Sequence, residues 1–277
     1  MKLAISNIAW KPNERKKIYD FLKLEKIEGL EIAPKLFLFK EKNIFDLKKN
    51  KINHYLNELR KKNLKLVSMQ SLLYEANNCH FFKTKIERDN LINQLKKVII
   101  LAGKLGIPNL VFGSPKNRII PEEINKIKAQ KIAISVFKKI NSIAKKNNVI
   151  FSLESNPKEY GTNFLNTIYQ TSVLVKKMKL KNIKMVLDSG EILMNSESKN
   201  IKKILKNNIN YINHVHLSEP YLKVPKNEKF IKKLIYLLNK YKYKNWVSIE
   251  MRSKEKNNFI NVFKTIKLVK NIIRSVN

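Results

Sequence analysis

The feature of this sequence that most constrains its fold is a regular alternation of strand-like and helical segments. Short runs rich in β-branched and aromatic residues recur eight times in the 277 residues, and segments with helical spacing of apolar residues lie between them. The predicted strands cover residues 2–10, 29–34, 64–72, 109–113, 149–155, 183–189, 212–218 and 246–252. Strands that alternate with helices predict an α/β fold built around a parallel sheet.

The number of strand–helix units favours a closed barrel over an open sheet. Eight units in a chain of about 250 residues are typical of a (β/α)₈ TIM barrel. A doubly wound nucleotide-binding sheet would need a glycine-rich turn after its first strand, but the chain has six glycines and no G-x-G-x-x-G motif there. No linker or repeat divides the sequence, so residues 1–277 are predicted to form a single domain.

Two predicted helices carry end signals. The apolar pattern of residues 90–106 stops at Gly106, which is placed as a C-cap before Pro108. The segment 121–148 opens with a proline and two acids, so its helix is predicted to start at Pro121.

The net charge of +35 would suit a nucleic-acid partner, but the distribution of basic residues does not favour one. Six of the 57 basic residues are arginines, and the lysines are spread along the chain rather than clustered. Lysine, asparagine and isoleucine have AT-rich codons, so genome composition accounts for their abundance without a ligand. A lysine-rich solvated surface is the favoured interpretation, and no specific nucleic-acid partner is predicted.

The cysteine count and the lack of long apolar runs predict the cellular compartment. A single cysteine excludes a disulfide framework and a cysteine-rich zinc site, which suits a reducing cytoplasm. The first residues, MKLAISNIAW, lack the features of a signal peptide, and no run approaches the roughly 18 apolar residues of a membrane helix. The sequence predicts a soluble cytoplasmic protein without a membrane partner.

The last four predicted strands each end in a side chain that can ligate a metal ion. These side chains are Glu154, Asp188, His216 and Glu250. In a (β/α)₈ barrel the carboxyl ends of all strands meet at one face, which carries the active site. Each residue alone could be a helix cap or part of a salt bridge, but four on successive strands favour a shared site.

A divalent cation is expected at this face because three carboxylates that point at one another repel. With one imidazole added, the donors suit Mn²⁺, Mg²⁺, Co²⁺ or Zn²⁺, with coordination positions left for substrate oxygens. His214 lies two residues before His216 and on the same face of the strand. His214 could therefore support the ligand, contact the substrate or be an ordinary core histidine.

Four motifs resemble the xylose-isomerase-like barrel superfamily, in particular its sugar phosphate isomerase/epimerase branch. They are SLESNPKEYG (152–161), VLDSGE (186–191), HVHLSEP (214–220) and WVSIEMR (246–252), and the loop FGSPKNR (112–118) is also similar. The resemblance implies a metal-dependent isomerase or epimerase that moves a proton through an enediolate, with Glu154 and Glu250 as ligands and as the acid/base pair. It implies a sugar or sugar phosphate as the small-molecule partner. It also allows a homodimer, because barrels of this family often pair.

Two positions differ from the ketohexose epimerases of this branch. Those enzymes carry a histidine three residues after the strand-six aspartate and an arginine six residues after the strand-seven histidine, where this chain has Glu191 and Leu222. A free ketohexose is therefore not the predicted substrate. Glu191 could orient a substrate hydroxyl, but capping of the following helix is the favoured interpretation.

Further residues are expected to bind the substrate. They are His214, Arg118, Lys116, Arg252, Glu159 and Trp10. Arg118 and Arg252 fall at the predicted active face, where a planar guanidinium could bind a carboxylate or phosphate. Arg118 could instead pair with Glu122, and Trp10 could either pack against a sugar or fill the barrel.

Three other functions stay open. A metal-dependent dehydratase or lyase acting on an inositol- or sugar-like ketone would use the same enediolate. A DNA-repair nuclease of the endonuclease-IV type shares this barrel, but it needs a histidine cluster that a chain with four histidines cannot supply. A non-catalytic sugar-binding barrel is disfavoured because all four ligands are present.

Overall fold

A closed barrel of eight parallel strands forms the centre of the computed structural model, which describes residues 1–276. Each strand pairs with the next along the chain, and β8 closes the ring by pairing with β1. The strands are β1 Lys2–Ser6, β2 Gly29–Ile32, β3 Lys65–Met69, β4 Asn109–Phe112, β5 Ile150–Leu153, β6 Ile183–Asp188, β7 Ile212–Leu217 and β8 Trp246–Ile249. The predicted single-domain (β/α)₈ barrel is confirmed.

Helices connect successive strands and surround the barrel. The α-helices are α1 Arg15–Leu24, α2 Pro34–Phe37, α3 Lys49–Lys61, α4 Lys85–Leu105, α5 Lys126–Lys146, α6 Ile168–Met178, α7 Ser189–Met194, α8 Ile201–Asn208, α9 Glu228–Lys240 and α10 Asn258–Val276. Short 3₁₀ helices span Asn7–Ala9, Pro12–Glu14, Pro115–Asn117, Lys158–Tyr160, Glu197–Asn200, Ile209–Tyr211 and Pro220–Leu222. Within residues 1–276, none of the helices combines the length and the apolar character needed to cross a membrane.

Capping explains the ends of two helices. The predicted C-cap at Gly106 is confirmed: its φ of +68° is left-handed, a conformation that glycine adopts without a Cβ clash, and it ends α4. The predicted start of α5 at Pro121 is wrong, because α5 begins at Lys126. Asn125 caps it with a side-chain oxygen that accepts a 2.9 Å hydrogen bond from the Lys128 backbone N–H.

The strands are shorter than the predicted runs because the chain leaves the sheet at the carboxyl end of the barrel. β1, for example, ends at Ser6 and continues into a 3₁₀ helix. Glu154 and Glu250 each lie one residue beyond the end of their strands. Asp188 pairs in register with His216, so these two side chains share one level of the barrel. The fold therefore gathers all four predicted ligands at one end.

An aromatic cluster anchors the loops on one side of this end. The rings of Phe81 and Phe137 have centroids 5.2 Å apart, and Phe112 packs against both. Each fully buried phenylalanine stabilises the fold by about 1.5–3 kcal/mol. The Phe81 backbone N–H donates to the Asn117 carbonyl over 2.7 Å. The loop after β3 is thereby tied to the loop after β4, which carries Lys116.

Candidate active site

The four residues predicted as metal ligands converge at the carboxyl end of the barrel. Their ligand atoms, one from each of Glu154, Asp188, His216 and Glu250, all lie within 4.8 Å of one another. His216 Nδ1 faces the three carboxylates: it lies 2.8 Å from Glu154 Oε1, 3.2 Å from Glu250 Oε2 and 3.7 Å from Asp188 Oδ2. We call these four residues the ligand cluster.

The two carboxylate oxygens of Asp188 are fixed by different groups. Ser218 Oγ donates to Asp188 Oδ2 over 2.7 Å, and the Glu191 backbone N–H donates to Asp188 Oδ1 over 2.7 Å. The second bond makes Asp188 the N-cap of α7, because its backbone is still extended immediately before the helix. Capping by one oxygen therefore leaves the other oxygen directed at the ligand cluster.

Gly113 leaves the space that the Glu154 carboxylate occupies. A Cβ at position 113 would lie 2.6 Å from Glu154 Oε2, which is closer than real Cβ contacts. The Glu154 backbone N–H donates to the Phe112 carbonyl over 3.1 Å and so fixes the chain just beyond β5. The Phe-Gly pair at the end of β4 therefore sets the position of this carboxylate.

A buried carboxylate that was not among the predicted site residues lies behind His216. Glu31, on β2, is fully buried, and its carboxylate lies 3.1 Å from His216 Nε2 and 3.0 Å from His214 Nε2. Burial raises the pKa of Glu31, but the charges of His216 and His214 outweigh it and hold this pKa well below its usual range. The sequence did carry a signal for Glu31, because this acid stands within the apolar run GLEIAP of a predicted strand. Acidic residues in similar runs were the basis for predicting the ligand cluster.

Burial and mutual repulsion raise the pKa values of the carboxyl groups in the ligand cluster. Burial and the charge of Glu154, opposed by His216, raise the pKa of Asp188 to about 6. Burial raises the pKa of Glu250 to about 8, with His216 opposing and Glu154 and Asp188 adding to the shift. Burial lowers the pKa of His216, but the facing carboxylates outweigh it and raise this pKa well above its usual value. The cluster is therefore short of positive charge.

The donor set of the ligand cluster fits a divalent cation. Three carboxylate oxygens and one imidazole nitrogen suit Mn²⁺, Mg²⁺, Co²⁺ and Zn²⁺. A cation there would offset the repulsion that raises the pKa values of Asp188 and Glu250.

A cavity opens above the ligand cluster. Its volume of about 580 Å³ is ample for a monosaccharide derivative. Glu154, Asp188 and Glu250 form part of its lining. The predicted binding residues Lys116 and Arg252 line it too, and both are exposed. The cavity therefore has an acidic floor and a basic rim.

Glu191 lines the cavity as well, but it is not the cap of α7, a position that Asp188 fills. Its carboxyl group accepts hydrogen bonds from Ser155 Oγ over 2.9 Å and from Asn156 Nδ2 over 2.6 Å. Burial and the charges of Glu154 and Asp188 raise the pKa of Glu191 well above its usual value. The favoured capping interpretation is thus wrong, and Glu191 adds a hydrogen-bonding group to the cavity floor.

Arg118 lies behind the cavity and not in its lining. It is fully buried, and its Nη2 donates to Asn156 Oδ1 over 2.7 Å, so its hydrogen bond goes to Asn156 and not to Glu122. Its Nε and Nη1 have no hydrogen-bond partner within the described part of the chain. Burial lowers the pKa of Arg118 to about 10, and the charges of Glu191 and Glu154 oppose that shift. Arg118 therefore holds Asn156, which donates to Glu191, and does not make the predicted contact with a substrate.

The other three residues predicted to bind substrate also lie outside the cavity lining. His214 is buried one strand repeat before His216, and the two rings meet edge to face with centroids 5.1 Å apart. Trp10 is buried and packs edge-on against Tyr19, with ring centroids 6.4 Å apart. Glu159 is exposed to solvent. Lys116 and Arg252 are thus the predicted binding residues that the structure brings to the cavity.

Comparisons with known proteins agree with this architecture. The family model for the xylose isomerase-like TIM barrel matches residues 24–271, whereas no curated protein matches the chain. The structure of 3-keto-D-glucoside 4-epimerase from E. coli is similar, with a TM-score of 0.76, 16% identity and coverage of 98% of this chain and 99% of that one. D-psicose 3-epimerase from Clostridium cellulolyticum H10, solved with D-tagatose, has a TM-score of 0.72, 16% identity and coverage of 100% and 98%. The IOLI protein with a bound zinc atom has a TM-score of 0.69, 16% identity and coverage of 100% and 98%. At these identities the structural likenesses show the fold alone.

Proposed function

The chain belongs to the xylose isomerase-like TIM barrel family, and we propose that it is a divalent-metal-dependent isomerase or epimerase acting on a sugar or sugar phosphate. The observation that carries the proposal is the ligand cluster at the floor of a cavity of sugar size. The similar structures include two sugar epimerases and a zinc-bound protein, which supports both the reaction class and the metal.

The ligand cluster would hold the cation through its three carboxylates and His216 Nδ1. When bound, the cation supplies Lewis acidity that stabilises negative charge developing on neighbouring substrate oxygens. The chain holds these groups in place before substrate arrives. Ser218 and the α7 N-terminus fix Asp188, and the lack of a side chain at Gly113 gives Glu154 its place.

Glu154 and Glu250 are proposed as the acid/base pair, because both line the cavity and can reach a bound substrate. One carboxylate removes the proton from the carbon next to the substrate carbonyl, and the electron pair of that C–H bond moves towards the carbonyl oxygen, which gives an enediolate. The other carboxyl group returns a proton. Its return to the opposite face of the same carbon gives an epimer, and its return to the neighbouring carbon gives an isomer.

The charge distribution of the cavity favours a substrate with an anionic group far from the reacting carbon. Lys116 and Arg252 attract such a group to the rim, while the carboxylates of the floor repel it. A sugar phosphate would therefore bind with its carbonyl end at the ligand cluster. Leu222 also lines the cavity, at the position where ketohexose epimerases have arginine, so a free ketohexose is not the proposed substrate.

The proposal is tested by proton exchange with solvent. Mn²⁺-loaded protein is incubated in D₂O with a panel of sugars and sugar phosphates, and mass spectrometry detects incorporation of deuterium at carbon. We expect incorporation and a new isomer for at least one phosphorylated sugar. The double variant Glu154→Gln with Glu250→Gln should lose both by a factor of at least about 10³, because the acid and the base are both removed.

Glu159→Gln is the matched control, because Glu159 is an exposed acid outside the cavity lining. It should exchange deuterium at the wild-type rate. If the double variant turned over substrate at a near-normal rate, the assignment of the acid/base pair would be wrong. If wild-type protein bound Mn²⁺ but eliminated water from the substrate, the dehydratase alternative would replace the isomerase.

A further inference from the structure

A layer of polar side chains lies inside the barrel beneath the ligand cluster. At its centre is Glu31, whose carboxylate is fully buried. Gln70 Nε2 donates to Glu31 Oε1 over 3.1 Å, and Ser248 Oγ donates to the same oxygen over 3.3 Å. The Nε2 atoms of His214 and His216 lie 3.0 Å and 3.1 Å from Glu31 Oε2. Groups from β7, β8 and the residue just after β3 thus fix this β2 carboxylate in one orientation.

His216 presents one ring nitrogen to Glu31 and the other to the ligand cluster. Nε2 lies 3.1 Å from Glu31 Oε2, while Nδ1 lies 2.8 Å from Glu154 Oε1. A neutral imidazole carries one proton and one free lone pair, so a proton on Nε2 leaves the lone pair on Nδ1. Because an ionised carboxylate can only accept hydrogen bonds, the contact with Glu31 selects this tautomer.

We infer that Glu31 is a positioning residue that holds the proton of His216 on Nε2 and thereby directs the Nδ1 lone pair at the cation. The inference rests on the proposed function, because it concerns a ligand of the proposed metal. Glu31 does not line the cavity, so it acts on His216 and not on the substrate. Gln70 and Ser248 keep the carboxylate from rotating away, since both donate to Oε1, and His216 Nε2 lies 3.1 Å from each carboxylate oxygen.

A cation held by Glu31, His214 and His216 is the competing arrangement, because their donor atoms also lie within 4.8 Å of one another. The two arrangements use different nitrogens of His216: Nδ1 in the ligand cluster and Nε2 in the competing site. The ligand cluster is favoured because it borders the cavity, whereas these three residues are at most 1% exposed. The protonation of His216 Nε2 therefore separates the two arrangements.

Long-range ¹H–¹⁵N NMR of the histidine rings is the direct test, and the chain has only four histidines to resolve. Spectra are recorded on the 277-residue protein without metal and with an equimolar amount of Zn²⁺. We expect Nε2 of His216 to stay protonated in both states, and its Nδ1 resonance to shift when Zn²⁺ binds. A deprotonated Nε2 in either state would overturn the inference. If Zn²⁺ does not bind at all, the proposed function fails, while a deprotonated Nε2 in the metal-free spectrum would still overturn the inference about Glu31.

Zinc affinity of Glu31 variants gives a second readout, measured by calorimetry. Glu31→Gln keeps the shape of the side chain without its charge, and Glu31→Leu removes the acceptor. We expect both to weaken Zn²⁺ binding, by roughly 10- to 100-fold, with the larger loss for Glu31→Leu. Glu28→Gln is the matched control, because Glu28 is an exposed acid just before the same strand and faces Lys65. Wild-type affinity in a folded Glu31→Gln or Glu31→Leu protein would overturn the inference.

Discussion

The ligand cluster makes the stability of the metal-free protein depend on pH in a direction that can be worked out from Glu250. Its pKa is raised from the usual 4.5 to about 8 in the folded protein. Between these two values the folded state keeps a proton that the unfolded chain has lost. Stability contributed by this proton is therefore fully present below pH 4.5 and is lost as the pH rises towards 8. The limiting slope is about 1.4 kcal/mol per pH unit for one proton.

The assay is urea unfolding in the presence of a chelator at several pH values between 6 and 8. Wild type is compared with Glu250→Gln, which has nothing to titrate, so the charge effects of the basic surface cancel in the difference. The free energy of unfolding of wild type, relative to the variant, should fall by roughly 2 kcal/mol over this range, somewhat less than the limiting slope would give. Asp188, whose pKa is raised to about 6, is present in both proteins, so its own titration cancels in the difference.

Added Mn²⁺ should stabilise wild type more than Glu250→Gln. A cation at 100 times its dissociation constant stabilises the folded state by about 2.7 kcal/mol, and only wild type has the complete ligand cluster. The gain should be largest at high pH, because protons compete with the cation for the same oxygens. A wild-type-to-variant difference that does not change with pH in chelator would refute this account of the cluster.

Three more predictions concern the surroundings of the cluster. Ser218→Ala removes the hydrogen bond to Asp188 Oδ2 and should weaken Mn²⁺ binding roughly 10-fold in calorimetry, and unchanged affinity would contradict the role of Ser218. Gly113→Ala places a methyl group 2.6 Å from Glu154 Oε2, so the carboxylate must shift, and kcat should fall about 100-fold with little change in Tm. An unchanged kcat would show that this shift does not matter for the reaction. Lys116→Ala should raise KM about 10-fold for a sugar phosphate and leave KM for a neutral sugar unchanged, and an equal rise for both would remove the case for an anionic substrate.

The barrel and its ligand cluster were predictable because both follow from local patterns. Short apolar runs in the sequence predict the strands, and a barrel of this kind brings the carboxyl ends of all its strands to one face. An acid or a histidine at the end of such a run is therefore informative without knowledge of any contact. The convergence of Glu154, Asp188, His216 and Glu250 was predicted in this way.

Residues whose roles depend on side-chain direction were harder to predict. Arg118 belongs to a loop at the correct face, but its side chain turns inward to Asn156, and sequence position does not determine that choice. Trp10 follows β1 closely and still packs into the core against Tyr19. Glu31 sits in a short apolar run like the ligands, yet its partners lie far away in sequence, just after β3 and on β7 and β8, and become its neighbours only when the barrel forms.

The most direct test of the proposed metal site is the metal content of the purified protein. Wild type and His216→Ala are loaded with Mn²⁺, desalted and measured by elemental analysis, with folding checked by circular dichroism. The ligand cluster predicts one Mn²⁺ per chain in wild type and little in the variant, because His216 Nδ1 lies at the meeting point of the three carboxylates. Absence of bound Mn²⁺ from wild type, or an undiminished content in the variant, would contradict the assignment of the cluster as a metal site.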